Sequence, residues 1–289
     1  MAYRFKARDA SMTDGLRRIA AEEFALIRQG LADKSLPVAR KVHESRKATK
    51  RLRALLRLTA PVFPEAREEI AALRAAAARL SALRDKGALT ETLARLGLPA
   101  ELAEDLRTAL ANQNATSAAA QKRLLAAFAA DIEAIAGRAT GWTLDRNGWR
   151  ALAPGLARSH HRLRKTMTRA KRAIDEEPVH EFRKRAKDHW YHTLLLRGAF
   201  PDVMDGYAVA GERLCDDLGD WRDLGLLEAA VGALPAHVLA KDDAGRVQAA
   251  IAKARKRALR QAFRTARKLA IEPSEDYTAR LKAWWSSSR

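Results

Sequence analysis

A nine-position pattern, Val-His-Glu-x-Arg-Lys-x-x-Lys, occurs twice in this chain, 137 residues apart. Residues 42–58 read VHESRKATKRLRALLRL and residues 179–196 read VHEFRKRAKDHWYHTLLL. In a helix of 3.6 residues per turn, offsets 0, +3, +4 and +7 share one stripe. His43, Arg46, Lys47 and Lys50 form that stripe in the first copy. His180, Arg183, Lys184 and Lys187 form it in the second. Two helices that each devote an ordered face to positive charge point to a ligand with many negative groups.

Further landmarks keep nearly the same displacement. Arg84-Asp85 and Arg222-Asp223 are 138 residues apart, and QKRLLAAF (121–128) parallels RKRALRQAF (255–263). Recurrence at a fixed interval argues for two homologous halves, each one supersecondary unit. The halves are set at 10–138 and 148–285, with 139–147 as linker, inside a single domain of 1–289.

The chain is rich in Ala, Leu, Arg, Lys and Glu and shows no run of period-two alternation, so an all-α fold is predicted. Helices are expected over about 11–30, 36–59, 64–83, 88–96, 99–111 and 115–136. GRATGWTLDRNGW then interrupts the pattern with three glycines. The second half predicts helices over about 150–174, 178–197, 202–218, 221–232 and 243–270, with a short tail after Pro273. Each half reads as a four-helix bundle, and two such bundles would pack about a pseudo-twofold axis. Their signature faces would then line a shared basic groove or pore.

On the first signature helix, Arg51, Arg53 and Arg57 extend the cationic face, while Leu52, Leu55 and Leu56 fall opposite. On the second, Phe182, His189 and Leu196 point away from the basic face; Tyr191 falls on it and Trp190 flanks it. Like charges at these spacings repel by a few tenths of a kcal/mol per exposed pair. A bound phosphate chain removes that repulsion and adds charge-assisted hydrogen bonds. If His43 and His180 touch the anion, affinity rises as pH falls from about 7.5 to 6; the alternative is a histidine bonded within its own bundle. Arg162, Arg164 and Lys165 on the helix near 157–173, and Arg257, Arg260 and Arg264 on the helix near 252–268, are the supporting cations. The last three are favoured over Arg255 and Lys256, and Lys122 and Arg123 are weaker first-half counterparts.

Charge supports the same class of partner. The 54 Lys and Arg outnumber 35 Asp and Glu for a net +19, which favours nucleic acid, an anionic surface or a phosphate polymer. The lone Cys215 excludes an intrachain disulfide and reads as a small buried hydrophobe. No signal core or long apolar stretch is evident, so a cytoplasmic protein with no membrane insertion is expected. There is no Gly-rich phosphate loop. HESRK and HEFRK begin like a zinc H-E-x-x-H motif, but Lys47 and Lys184 replace the second histidine. His189 and His192 read as core residues, and Arg-Asp 84–85 and 222–223 as structural pairs near helix starts or turns. No nucleophile–base pair is evident, so neither an enzyme nor a metal or cofactor site is expected.

The paired V-H-E-x-R-K-x-x-K helices, each followed by an R-D dipeptide, resemble the CHAD family, the conserved histidine alpha-helical domain. The resemblance spans about residues 10–285. It implies two four-helix bundles about a pseudo-twofold and a central basic pore that binds inorganic polyphosphate. It also implies an association of some members with polyphosphate granules. Carried over position by position, the ligand face is His43, Arg46, Lys47, Lys50, Arg51, Arg53 and Arg57, with His180, Arg183, Lys184 and Lys187. The second copy departs from the pattern after Lys187: Asp188-His189-Trp190 replaces the basic continuation, and Leu194 stands at the position of Arg57. It should contribute fewer phosphate contacts. No E-x-E-x-K strand of the triphosphatase domain fused to some members is present. The expected function is non-enzymatic polyphosphate binding. The alternatives are a nucleic-acid binder, disfavoured by 6% aromatic residues, and an accessory or phosphohydrolase protein of polyphosphate metabolism.

Overall fold

Helix-favouring composition governs the whole architecture. A computed structural model describes residues 3–81, 83, 87–111, 117–235 and 239–288. Among the described residues the fold is all-α, with helices and no strand. In chain order these are α1 (Met12–Ala32), α2 (Val38–Thr59), α3 (Ala66–Arg79), α4 (Gly87–Ala94), α5 (Ala100–Ala111) and α6 (Ala118–Ala139). The second half supplies α7 (Trp149–Arg172), α8 (Glu176–Leu196), α9 (Pro201–Gly232), α10 (Lys241–Leu269) and α11 (Ser274–Ser287). Arg84 and Asp85 lie outside the described residues.

The two signature helices form where their sequences start and stop them. Pro37, in extended conformation, sets the entry to α2, and its missing N–H costs nothing there. Leu52, Leu55 and Leu56 of α2 are fully buried, which leaves the cationic face outside the core. In the first half α1, α2, α3 and α6 pack in a closed ring. In the second half α8 packs on α7 and α9, and α9 on α10, but α10 and α7 meet only marginally.

Three expectations need correction. The helices set at 202–218 and 221–232 are one continuous helix, α9. Gly219 lies inside it, and packing against α8 and α10 along its length outweighs the roughly 1 kcal/mol that an internal glycine costs. Arg222 and Asp223 therefore sit in mid-helix, not at a turn. The tail after Pro273 is α11, whose Tyr277, Leu281 and Trp285, four residues apart, are buried against α7.

The segment between the halves is stapled rather than loose. Trp142 is buried against Phe24 and Phe63. Arg17 donates to its carbonyl at 2.7 Å, and the Asp145 amide donates to Val62 at 2.9 Å. Cores also cross the boundary. Leu93, Leu102, Leu106 and Leu110 of α4 and α5 pack with Leu224, Leu227 and Val231 of α9. Near the start of α7, Gly155 lies so close to α2 that a Cβ would sit 1.7 Å from the Leu58 carbonyl oxygen.

Histidines fill the interface between α7, α8 and α11. His160 stacks on Tyr277 with centroids 4.2 Å apart and lies 5.7 Å from the His189 ring. Its Nδ1 meets Ser274 Oγ at 3.0 Å, and His192 Nε2 donates to the Ala54 carbonyl of α2 at 2.9 Å. Neither ring nitrogen of His189 has a hydrogen-bond partner. Burial pushes His160 down to about 4 and His189 to about 3. These groups fold neutral and are protonated in the unfolded chain below about 6.5. Their stabilising effect is complete above that value and lost as pH falls toward the folded values. Unfolding free energy should drop by about 3–4 kcal/mol between pH 7 and 5 through these two groups. Denaturant titrations should show a shallower loss in His189→Leu; an unchanged slope would remove His189 from the effect.

Candidate functional site

The cationic faces of α2 and α8 meet beside α9. Lys50 is the clearest reporter. Burial pushes its ammonium down to about 7, helped by the charges of Lys187, Arg183, Arg46 and Arg222. Those four groups come from α8, α9 and α2 itself, and all are cationic. Lys187 is also lowered, chiefly by burial; Cys215, Asp216 and Asp223 oppose the shift and Arg183 adds to it. Its ammonium lies 6.0 Å from the Trp190 ring centroid. His180, half-buried, is lowered by burial and then by Lys184, Arg222 and Arg183. Its protonation window in the free protein therefore lies below the ordinary histidine range.

Further along the same face of α2 lies a second cluster. Burial pushes Arg53 down to about 10, with Arg57, Arg74 and Arg185 adding to the shift and Asp188 opposing it. Arg57 donates to Asp188 Oδ1 at 2.7 Å, and Arg185 to its other oxygen at 2.9 Å. Asp188, the residue that breaks the repeat, is thus a clasp between α2 and α8. Arg53 Nε, Arg51 Nε and Arg183 Nε are buried with no hydrogen-bond partner. On the side toward α1, Arg51 reaches Glu23 at 3.4 Å and lies over the Tyr3 ring. Burial raises the Glu23 carboxyl to about 7 against the pull of Arg51 and Lys47.

The remaining candidates divide. His43 is exposed on α2, and Lys184 is exposed and pairs with Glu181 at 2.5 Å. Arg162 and Lys165 are exposed on α7, whereas Arg164 is half-buried and acts on His160. Arg257 lines a crevice with Arg95 and Asp220. Arg260 and Arg264 line a different cavity, between α7, α9 and α10. The charges that weigh most on Lys50 come from α2, α8 and α9, not from α7 or α10. Arg222, read from sequence as structural, is one of them, and Arg74 and Arg185 had no sequence signal beyond their charge. Tyr191, placed on the basic face by the helical wheel, is buried at 2% exposure, its ring edge-on to Tyr3.

No group of three or more His, Cys, Asp or Glu is gathered as a metal site among the described residues. Cys215 is buried, and burial pushes its thiol up to about 12, the state of an inert core thiol. No helix of the described residues is long and apolar enough to cross a membrane.

A scan against protein families matches the CHAD domain over residues 10–232. The chain belongs to the CHAD domain family. The match takes in both signature helices and α9, so the cluster around Lys50 lies wholly within the CHAD domain. Helices α10 and α11 lie beyond the matched residues. A comparison with curated proteins finds no match.

Proposed function

We propose that this CHAD protein binds inorganic polyphosphate through the basic surface where α2, α8 and α9 meet, without altering the polymer chemically. One observation carries the reading: the four largest charge influences on half-buried Lys50 are all cationic. Holding Lys50 half-buried among such groups costs free energy. A chain of phosphates would supply countercharge to Lys50 through charge-assisted hydrogen bonds to it and to Arg183 and Lys187, with Arg46 beside them. Arg222 and His180 border the same surface. Association with polyphosphate granules in the cytoplasm fits this reading.

Burial of Tyr191, with half-buried Tyr3 edge-on to its ring, weakens the nucleic-acid alternative, because it withdraws a stacking platform from the basic face. The test is a titration with phosphate polymers of defined length, with DNA as competitor at equal phosphate concentration. Affinity should grow with polymer length and fall with salt, as for other linear polyanions. Displacement by DNA near physiological salt, or release of orthophosphate, would overturn the proposal.

Proton linkage gives a second check. A bound anion raises the Lys50 pKa from its free value near 7, so binding takes up a proton above that pH. Affinity should therefore fall as pH rises from about 7 to 9, approaching tenfold per unit. Lys50→Arg, charged throughout, should flatten the profile. A dependence confined below pH 6.5 would assign the linkage to histidine instead.

A further inference from the structure

Between α7, α9 and α10 runs an open groove of about 1030 Å³. It follows from the weak meeting of α7 and α10, which leaves one seam of the second half unclosed. Its floor is apolar: Met167, Ile174, Trp221, Leu259 and Phe263 line it. Ile174 is 61% exposed, and Phe263 is half-buried, stacked flat on Phe182 with centroids 5.7 Å apart. The rim is cationic, with Lys171 at the end of α7 and Lys256, Arg260, Arg264 and Arg267 along α10. Arg255 is already occupied. It lies over Trp221 at 4.5 Å and is bonded to Glu176 and Glu228.

A phosphate polymer has nothing to place on this floor. Burying an apolar floor calls for an apolar occupant, and a row of rim cations calls for negative charge along its length. Lys256, Arg260 and Arg264 are spaced by four residues, one cation about every 6 Å along the helix. A single-headed lipid presents charge at one end only. An amphipathic helix with acidic residues at successive turns presents it at the matching interval. From Ala252 to Arg267 the lining of α10 extends roughly 22 Å, enough for about four turns of a docked helix.

We propose that this groove docks an acidic amphipathic helix of a protein partner, with its apolar face on Met167, Ile174 and Phe263 and its carboxylates on the α10 row. The proposal assigns Arg260 and Arg264 to that partner rather than to polyphosphate, and it stands independently of the polyphosphate reading.

The test uses the full chain and a labelled synthetic 18-residue peptide (about five turns) with Leu at i, i+3, i+4 and i+7 and Glu flanking the leucines. A scrambled peptide of equal composition is the control. The amphipathic peptide should bind at least tenfold tighter than the scrambled one. Ile174→Asp, at an exposed position, and Lys256→Glu should each weaken it at least tenfold, with helicity by circular dichroism unchanged. Polyphosphate affinity should remain as in the wild type. Equal binding of the scrambled peptide would show charge alone at work and overturn the proposal. So would unchanged affinity in both variants, or displacement of the peptide by oleate at submicellar concentration, which would make the groove a lipid site.

Discussion

Replacing Lys50 with glutamate should weaken polyphosphate binding about a hundredfold and at the same time raise the stability of the free protein. The two effects share one cause. Lys50 is half-buried and surrounded by Arg46, Arg183, Lys187 and Arg222. A carboxylate at that position exchanges repulsion for attraction in the unliganded fold. It also competes with phosphate for the same guanidinium and ammonium groups. Loss of one charge-assisted contact and quenching of its neighbours together amount to roughly 3 kcal/mol, about two factors of ten in affinity. Isothermal titration with long-chain polyphosphate and a denaturant melt of the same samples measure both. Wild-type affinity in Lys50→Glu would place the polymer elsewhere. A lower melting midpoint would show that the cations are balanced by groups that weigh more than those around Lys50.

Gly155→Ala should be among the most destabilising single substitutions in the chain. The added methyl would meet the Leu58 carbonyl at 1.7 Å, a backbone atom that no side-chain rotation can clear. Helices α2 and α7 would have to separate, opening the buried layer of Leu58, Leu152 and Leu156. Overpacking of this kind costs about 3 kcal/mol or more, a fall of roughly 6–12 °C in melting temperature for a chain of this size. A shift under 1 °C would mean that α7 approaches α2 less closely in solution. Gly30, with nothing within 4 Å of the same added atom, is the matched control; there alanine should be neutral or mildly stabilising.

Local rules carried much of this molecule into its sequence. The signature helices were legible because the cationic and leucine faces repeat with helical period, and Pro37 marks a start that the structure keeps within two residues. What escaped depends on distant partners. Gly219 looked like a break because its helix-favouring neighbours α8 and α10 are absent from a local window. Tyr277, Leu281 and Trp285 had helical spacing, yet three residues after a proline gave too short a pattern to outweigh a chain end. Asp188 read as a lost phosphate contact. Its bond to Arg57, 131 residues away, is a tertiary fact. The cations of α10 could be counted and spaced, but spacing along one helix does not say which neighbour it faces. Arg260 and Arg264 consequently line a different cavity from the cluster around Lys50.

The hairpin of α4 and α5, before residue 140, shares one apolar core with α9 and α10, after it. Cutting the chain at residue 140 would therefore strip apolar cover from both pieces at once, leaving each with an exposed leucine-rich face.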